Sequence, residues 1–346
     1  MTRTPRILFF ADGGPLVGGG HVMRCLTLAR ALMTRGADCA FTAPPEIKGV
    51  LDAFSPTVGP HKVEALFAPG NDLEAQVRST QRLAANWAPD WLVIDHYRLD
   101  ARLEQGLHAP GRRIMMMDDL ALRPRDCDLL LDPGYGRTEA AYRRLVPGWA
   151  RVLAGPAYAL VRPEFAEARM LAPERPQTVR RVLVMLGLTD FGGVSARVVK
   201  ALLPVLEADA ILDVAFGSGA RSEGALKALG DPRIVLHVDA KHMAGLMSEA
   251  QIAIGAGGSS VWERACLGLP AVTVILAENQ RALAQRLNAD GLTLMVEAAL
   301  PSFEASLTSA FGRLARDADL RGGMGAKLAG LCDGQGAERV AEAMLH

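Results

Sequence analysis

At 346 residues, half of them apolar and 22% charged, the chain has a soluble globular composition and is long enough for two domains. Its 38 Lys and Arg balance 38 Asp and Glu, which argues against a general nucleic-acid or anionic-membrane binder and leaves room for a local basic pocket. The longest apolar runs, such as 7–11, fall far short of the ~20 residues that a spanning helix needs, and the first lacks a cleavage-like end, so a cytoplasmic protein without stable membrane association is expected.

In chain order, the first half alternates strands at 7–11, 38–43, 91–95, 113–117 and 129–132 with helices at 22–35, 73–87 and 101–108. A proline-bearing stretch at 163–178 follows. A second series then places strands at 181–185, 211–216, 234–238, 252–255 and 271–275, with helices at 194–206, 243–250, 261–267 and 280–290. Alternation of this kind predicts α/β units with parallel sheets covered on both faces. Two doubly wound domains are expected, 1–165 and 176–346, with a linker at about 166–175 and the last helix packing back on the first domain. Ligands of open parallel sheets sit outside the carboxyl ends of the strands, so a cleft between the two domains is the expected active site.

Gly18, Gly19, Gly20 and His21 connect the first strand to the first helix. Glycines there bring bare amides to a helix start, where they attract anions, and a histidine can exchange a proton near neutrality and serve as a base. Gly18, Gly20, Asp12 at the strand end and Arg24 in the helix are taken as substrate-binding. The run Ile94-Asp95-His96-Tyr97 ends another strand, so its polar residues emerge at the same sheet edge as His21, Asp95 and Tyr97 to orient a sugar or a water and His96 to donate to a ring substituent, or all to bond neighbouring loops. Asp118-Asp119 also follows a strand, where loop capping suits it equally. Asp126-Cys127-Asp128 has a metal-like D-x-D spacing but precedes its strand, at the wrong edge. Met115 to Met117 reads as core filling. Cys25, Cys39, Cys127, Cys266 and Cys332 are odd in number and never form a CxxC pair, which indicates neither a disulfide framework nor a zinc site.

A second strand–glycine–helix junction spans 254–264. Gly257 and Gly258 allow close approach to an anion, Ser259 and Ser260 can cap the helix while donating to a phosphate oxygen, and Glu263 can accept two ribose hydroxyls or close a capping box with Ser260. Thr189 and Asp190 follow a strand and could contact a diphosphate or cap the next helix, while Asn279 and Gln280 offer amides suited to sugar hydroxyls or acetamides. Neither glycine loop is a Walker A motif or a good dinucleotide fingerprint. Two such loops in opposite halves suggest a diphosphate held by one domain and presented to the other.

With these residues in view, the chain resembles the PseG family, UDP-2,4-diacetamido-2,4,6-trideoxy-β-L-altropyranose hydrolases of pseudaminic acid biosynthesis, related to the MurG glycosyltransferases. The resemblance rests on the run from Gly18 to Ala29, on 94–97, 145–147, 155–165 and 257–263, and on Asn279-Gln280, in that order along nearly the whole chain. It implies a GT-B architecture, two Rossmann-like domains facing across a cleft, with UDP held mainly by the second. It also implies hydrolysis at the anomeric carbon without a metal or other cofactor. His21 then matches the family's catalytic base, Tyr97 and Asn279 match cleft residues grouped with it as catalytic, and Glu263 matches the ribose-binding glutamate. UDP departs well unaided, so one base and donors around the diphosphate suffice, with the helix start at 257–260 in place of a metal. Water attacking opposite the UDP would invert the anomeric centre. Two departures stand out: Leu188 replaces the second glycine of a Gly-Gly-Thr/Ser-Asp motif, and Asp132-Pro133-Gly134-Tyr135 replaces an Asp-Gln-Asn-like stretch.

Overall fold

The computed structural model describes residues 3–13, 19–43, 47–59, 61–67, 72–99, 101–171 and 175–346. The chain forms two compact units, one of Met1–Leu160 with Gln335–His346 and one of Val161–Gly334.

In the first unit the strands are β1 (Arg6–Ala11), β2 (Asp38–Ala43), β3 (Thr57–Val58), β4 (His61–Lys62), β5 (Glu64–Phe67), β6 (Trp91–Asp95), β7 (Arg113–Met117), β8 (Leu129–Asp132) and β9 (Arg151–Ala154). All but β3 and β4, which pair antiparallel, make a seven-stranded sheet in the order β5-β2-β1-β6-β7-β8-β9, parallel throughout. Because both faces are covered, its central strands read as unbroken apolar runs, and successive side chains enter opposite cores. Ile7 and Phe9 join Met115, Met117 and the helix Gly20–Thr34 on one face, whereas Leu8, Phe10 and Met116 lie on the other. The helix Gly336–Leu345 completes the first of these cores with Val340, Ala341 and Met344, and Trp91 Nε1 donates to the Met344 carbonyl at 3.0 Å. Its first residue is a glycine for a steric reason: a Cβ there would stand 2.6 Å from the Tyr158 carbonyl carbon and closer still to the Ala159 oxygen.

The second unit carries β10 (Arg181–Met185), β11 (Ile211–Phe216), β12 (Ile234–Val238), β13 (Ile252–Ala256), β14 (Ala271–Ile275) and β15 (Leu294–Glu297). They form a parallel sheet in the order β12-β11-β10-β13-β14-β15. Ahead of it, Pro163–Leu171 is a helix, so the stretch expected as a linker from 166 is helical through Leu171. Pro163 opens that helix, in the first turn, where its missing N–H forfeits no intrahelical bond.

Both sheets share one logic. Each begins at its centre, winds outward to one side, then returns to the other, reversing between β1 and β6 in the first unit and between β10 and β13 in the second. Side chains just beyond those carboxyl ends face the crevice where open α/β sheets bind ligands.

Candidate active site

At the first switch point, Asp12 directly follows β1, β6 ends in Asp95, and the helix Gly20–Thr34 begins one residue before His21. Gly20 is exposed at the helix start, and Gly18 lies outside the described residues. His21 is 7% exposed, and its Nδ1 lies 2.6 Å from Asp95 Oδ1. Arg24, one helical turn on, grips the same carboxylate by two parallel bonds, Nε to Oδ2 and Nη2 to Oδ1, each 2.6 Å. Arg24 Nη2 also sits 3.2 Å from His21 Nδ1, as two donors sharing the acceptor Oδ1 must. Arg24 Nη1 continues to Asp119 Oδ2 at 3.1 Å, which accepts the Tyr97 hydroxyl at 2.8 Å, and the Tyr97 ring meets the His21 ring edge-on at 4.6 Å. A continuous network therefore runs from Tyr97 through Asp119, Arg24 and Asp95 to His21.

The electrostatics follow from burial and contact. Burial alone would raise the Asp95 carboxyl, but Arg24 and His21 outweigh it and hold the group well below the usual carboxylate range. Burial opposes the Arg24 charge, and Asp95 more than restores it. The Tyr97 phenol is pushed up by burial and by Asp119, so it stays protonated at neutral pH. An ionised Asp95 accepts from Nδ1–H, which leaves the lone pair of His21 on Nε2.

The sequence reading counts Asp12, Asp95, Arg24 and Asp190 as substrate-binding, and the structure engages all four within the protein. Asp12, 2% exposed, accepts from Arg98 Nη2 at 3.2 Å and from the Gly13 amide at 3.0 Å. Beside it His96 accepts from the Arg98 amide, and burial lowers its imidazole to about 4, so it is neutral. Asp190, 1% exposed, receives the Ser195 and Ser222 amides at 3.0 and 2.9 Å, tying two helix starts together. Asp128 accepts from the Ile114 amide at the amino edge of β8, so this member of the D-x-D pair braces the sheet, while Asp126 faces His108. Among the described residues no group of three or more His, Cys, Asp and Glu side chains is set to hold a metal ion. Asp132 holds its own loop by accepting from the Gly134 amide and the Tyr142 hydroxyl, both at 2.7 Å, and the Leu188 carbonyl accepts from the Gly217 amide at 2.8 Å.

At the second switch point, β13 runs into Gly257 and Gly258 and the helix Ser260–Cys266. Gln280 packs over this turn: a Cβ on Gly257 would lie 3.0 Å from Gln280 Cβ, and Gln280 Oε1 accepts from the Leu276 amide at 3.0 Å. Neither Ser259 at the N-cap nor Ser260 caps the helix with its side chain, so the capping-box alternative is not realised. Glu263 instead receives Arg162, whose Nε and Nη2 both reach Oε1, at 3.1 and 3.0 Å. Thr189 is half-buried in the turn after β10, and Asn279 is exposed in the turn after β14. Sequence reasoning did not single out Arg162 or Arg264. The second of these had a signal, its i+4 spacing from Ser260 on one helix face.

No family model matches the chain. The UDP-2,4-diacetamido-2,4,6-trideoxy-β-L-altropyranose hydrolase of Campylobacter jejuni is 25% identical over 282 residues, covering 81% of this chain and 94% of that protein. The spore coat polysaccharide biosynthesis protein SpsG of Bacillus subtilis is 26% identical over 290 residues, covering 82% of this chain and 81% of that protein. Among solved structures, MurG of Acinetobacter baumannii superposes with a TM-score of 0.65 at 17% identity, covering 99% of both chains. The spinosyn rhamnosyltransferase SpnG gives 0.66 at 16% identity, covering 99% of this chain and 100% of that one. The chain thus has the GT-B fold of these glycosyltransferases, and its sequence resembles the diacetamido-sugar hydrolase over four-fifths of its length.

Proposed function

We propose that this chain hydrolyses a UDP-linked 2,4-diacetamido-2,4,6-trideoxy sugar at its anomeric carbon, releasing UDP and the free sugar with inversion, as a step toward a nonulosonic acid of the pseudaminic type. The similarity to the C. jejuni hydrolase and the GT-B fold support a UDP-sugar-processing enzyme. The observation that carries the hydrolytic reading is His21 seated on an ionised Asp95, itself clamped by Arg24.

In this reading the Nε2 lone pair of His21 takes a proton from water as the oxygen bonds to the anomeric carbon and the bond to the UDP oxygen breaks. Asp95 keeps the tautomer fixed and offsets the imidazolium charge, without contacting substrate. In the first unit Tyr97 and Gly20 serve the sugar beside His21; in the second, Thr189 and the loop 257–260 hold the diphosphate, Glu263 takes the ribose through the oxygen that Arg162 does not use, and Asn279 and Gln280 offer their amides to the substrate. The leaving diphosphate is stable as an anion, so no metal or general acid is called for. Transfer of the sugar to another acceptor is the competing reading, because the structural neighbours are glycosyltransferases.

One assay separates the two. The protein is incubated with UDP-linked diacetamido sugars in EDTA, and NMR follows UDP release and the anomer of the free sugar. Release without an added acceptor, in EDTA and with inversion, is expected, and His21→Ala is expected to slow it by about a hundredfold or more, the usual contribution of a general base. Release only on adding an acceptor would establish transfer instead, loss of turnover in EDTA would overturn the metal-free route, and full turnover in His21→Ala would remove the base.

A further inference from the structure

Beneath the glycine loop of the second unit lies a cation that the reaction above does not use. Arg264 is 2% exposed, and its Nη1 donates to Ser260 Oγ at 3.3 Å while Nη2 donates to the Ala256 carbonyl at 3.1 Å. These two acceptors bracket Gly257, Gly258 and Ser259, so one rigid fork holds both ends of the loop. The fit is built into the backbone. A Cβ on Gly255 would stand 2.7 Å from Arg264 Cζ and closer still to Nη1, so any other residue there would evict the guanidinium.

Among the described residues the charge has no bonded counterion. No carboxylate among the described residues forms an ion pair with Arg264, and the adjacent Glu263 gives its bonded oxygen to Arg162. Burial lowers the guanidinium to about 10, with Glu263 opposing, so at neutral pH it is still a cation. Keeping a cation out of water without an anion is costly, and a site that binds an anion is a physical reason to retain it. The Ser260 hydroxyl accepts from Arg264 and so has its own proton to donate, while the amides of Gly258 and Ser259 meet no acceptor among the described residues.

On the reading that this loop holds the diphosphate of UDP, we propose that Arg264 is a positioning residue: it fixes the loop from beneath, leaves the Ser260 hydroxyl and the loop amides free to donate to the diphosphate, and contributes its unpaired charge to binding that anion. Calorimetric titration of UDP and of uridine into the whole protein tests this. Wild type should bind UDP more tightly than uridine. Arg264→Met should weaken UDP about tenfold or more while leaving uridine unchanged, through loss of the nearby charge and of the hydroxyl's orientation. Arg264→Lys, which keeps charge but not the fork, should recover part of that loss. On a Ser260→Ala background Arg264→Met should cost UDP less than it does alone, since the hydroxyl it orients is already gone. A merely structural arginine would weaken both ligands alike and show no such coupling. If Arg264→Met does not fold, a wild-type preference for UDP over uridine in both Arg264→Lys and Ser260→Ala would overturn the proposal, as would that preference surviving in a folded Arg264→Met. Wild type that shows no preference for UDP would sink the nucleotide reading of the loop itself.

Discussion

Asp95 shows how a residue legible by type acquires its role only from three-dimensional partners. The sequence places it at a strand end beside His21, where it could as well have touched a sugar. The partners that decide are 71 and 74 residues away, Arg24 with two bonds and His21 with one, and they leave it no exposed surface. In the proposed reaction it therefore acts through His21. Asp95→Asn keeps the shape but removes the charge that fixes the tautomer and offsets the imidazolium, so kcat should fall by about 10²–10⁴ with KM nearly unchanged. It also leaves the largely buried Arg24 with Asp119 as its one carboxylate partner, and loss of one partner from a buried ion pair costs about 3–5 kcal/mol, so urea unfolding should register the change separately from the kinetics. A raised KM at unchanged kcat would place Asp95 on the substrate instead.

Among the elements, those buried on both faces were the readable ones. β6, β10 and β14 are continuous apolar runs because helices cover both sides of a parallel sheet, and such runs need no context to be recognised. β5, β9 and β15 were not read: each has four residues and stands at a sheet edge, where one flank lacks a neighbour and half-exposed side chains break the pattern. The helix Pro163–Leu171 was missed because three prolines in 16 residues suggested a linker, although the first of them sits where a helix accepts it. The glycine-rich junctions are legible, while the arginines that brace them are not: Arg162 bonds Glu263 from 101 residues away, and the i+4 spacing of Arg264 from Ser260 does not disclose its bond to the Ala256 carbonyl. The helix Gly336–Leu345 carries a testable share of the first unit's stability, as Met344 is fully buried against the helix that bears His21. Met344→Ala should destabilise that unit by about 2–5 kcal/mol through lost burial and the cavity left behind. Urea unfolding followed at Trp91, whose indole bonds the Met344 carbonyl, reads it, and a shift under 1 kcal/mol would mean that the helix is only loosely seated.

At the scale of the whole molecule, the same winding occurs twice with different equipment at each switch point. The first unit brings a histidine with a carboxylate and an arginine behind it, and the second brings a glycine loop with a buried cation beneath it. If chemistry and nucleotide binding are divided in this way, ligand linkage must be divided too. A ligand present at 100 times its Kd stabilises the state it binds by about 2.7 kcal/mol, and only amides that exchange through opening of that state are slowed. UDP alone should therefore slow exchange in β13, β14 and the helix Ser260–Cys266, with uridine giving a smaller effect because it lacks the diphosphate. Amides of β1 and β6 should exchange at their unliganded rates in the same sample, since UDP without its sugar reaches nothing that His21 needs. Hydrogen exchange read by mass spectrometry resolves the two sets of strands. Protection confined to β1 and β6 would move the nucleotide to the glycine–histidine junction, and His21 would then stand beside a phosphate rather than an anomeric carbon.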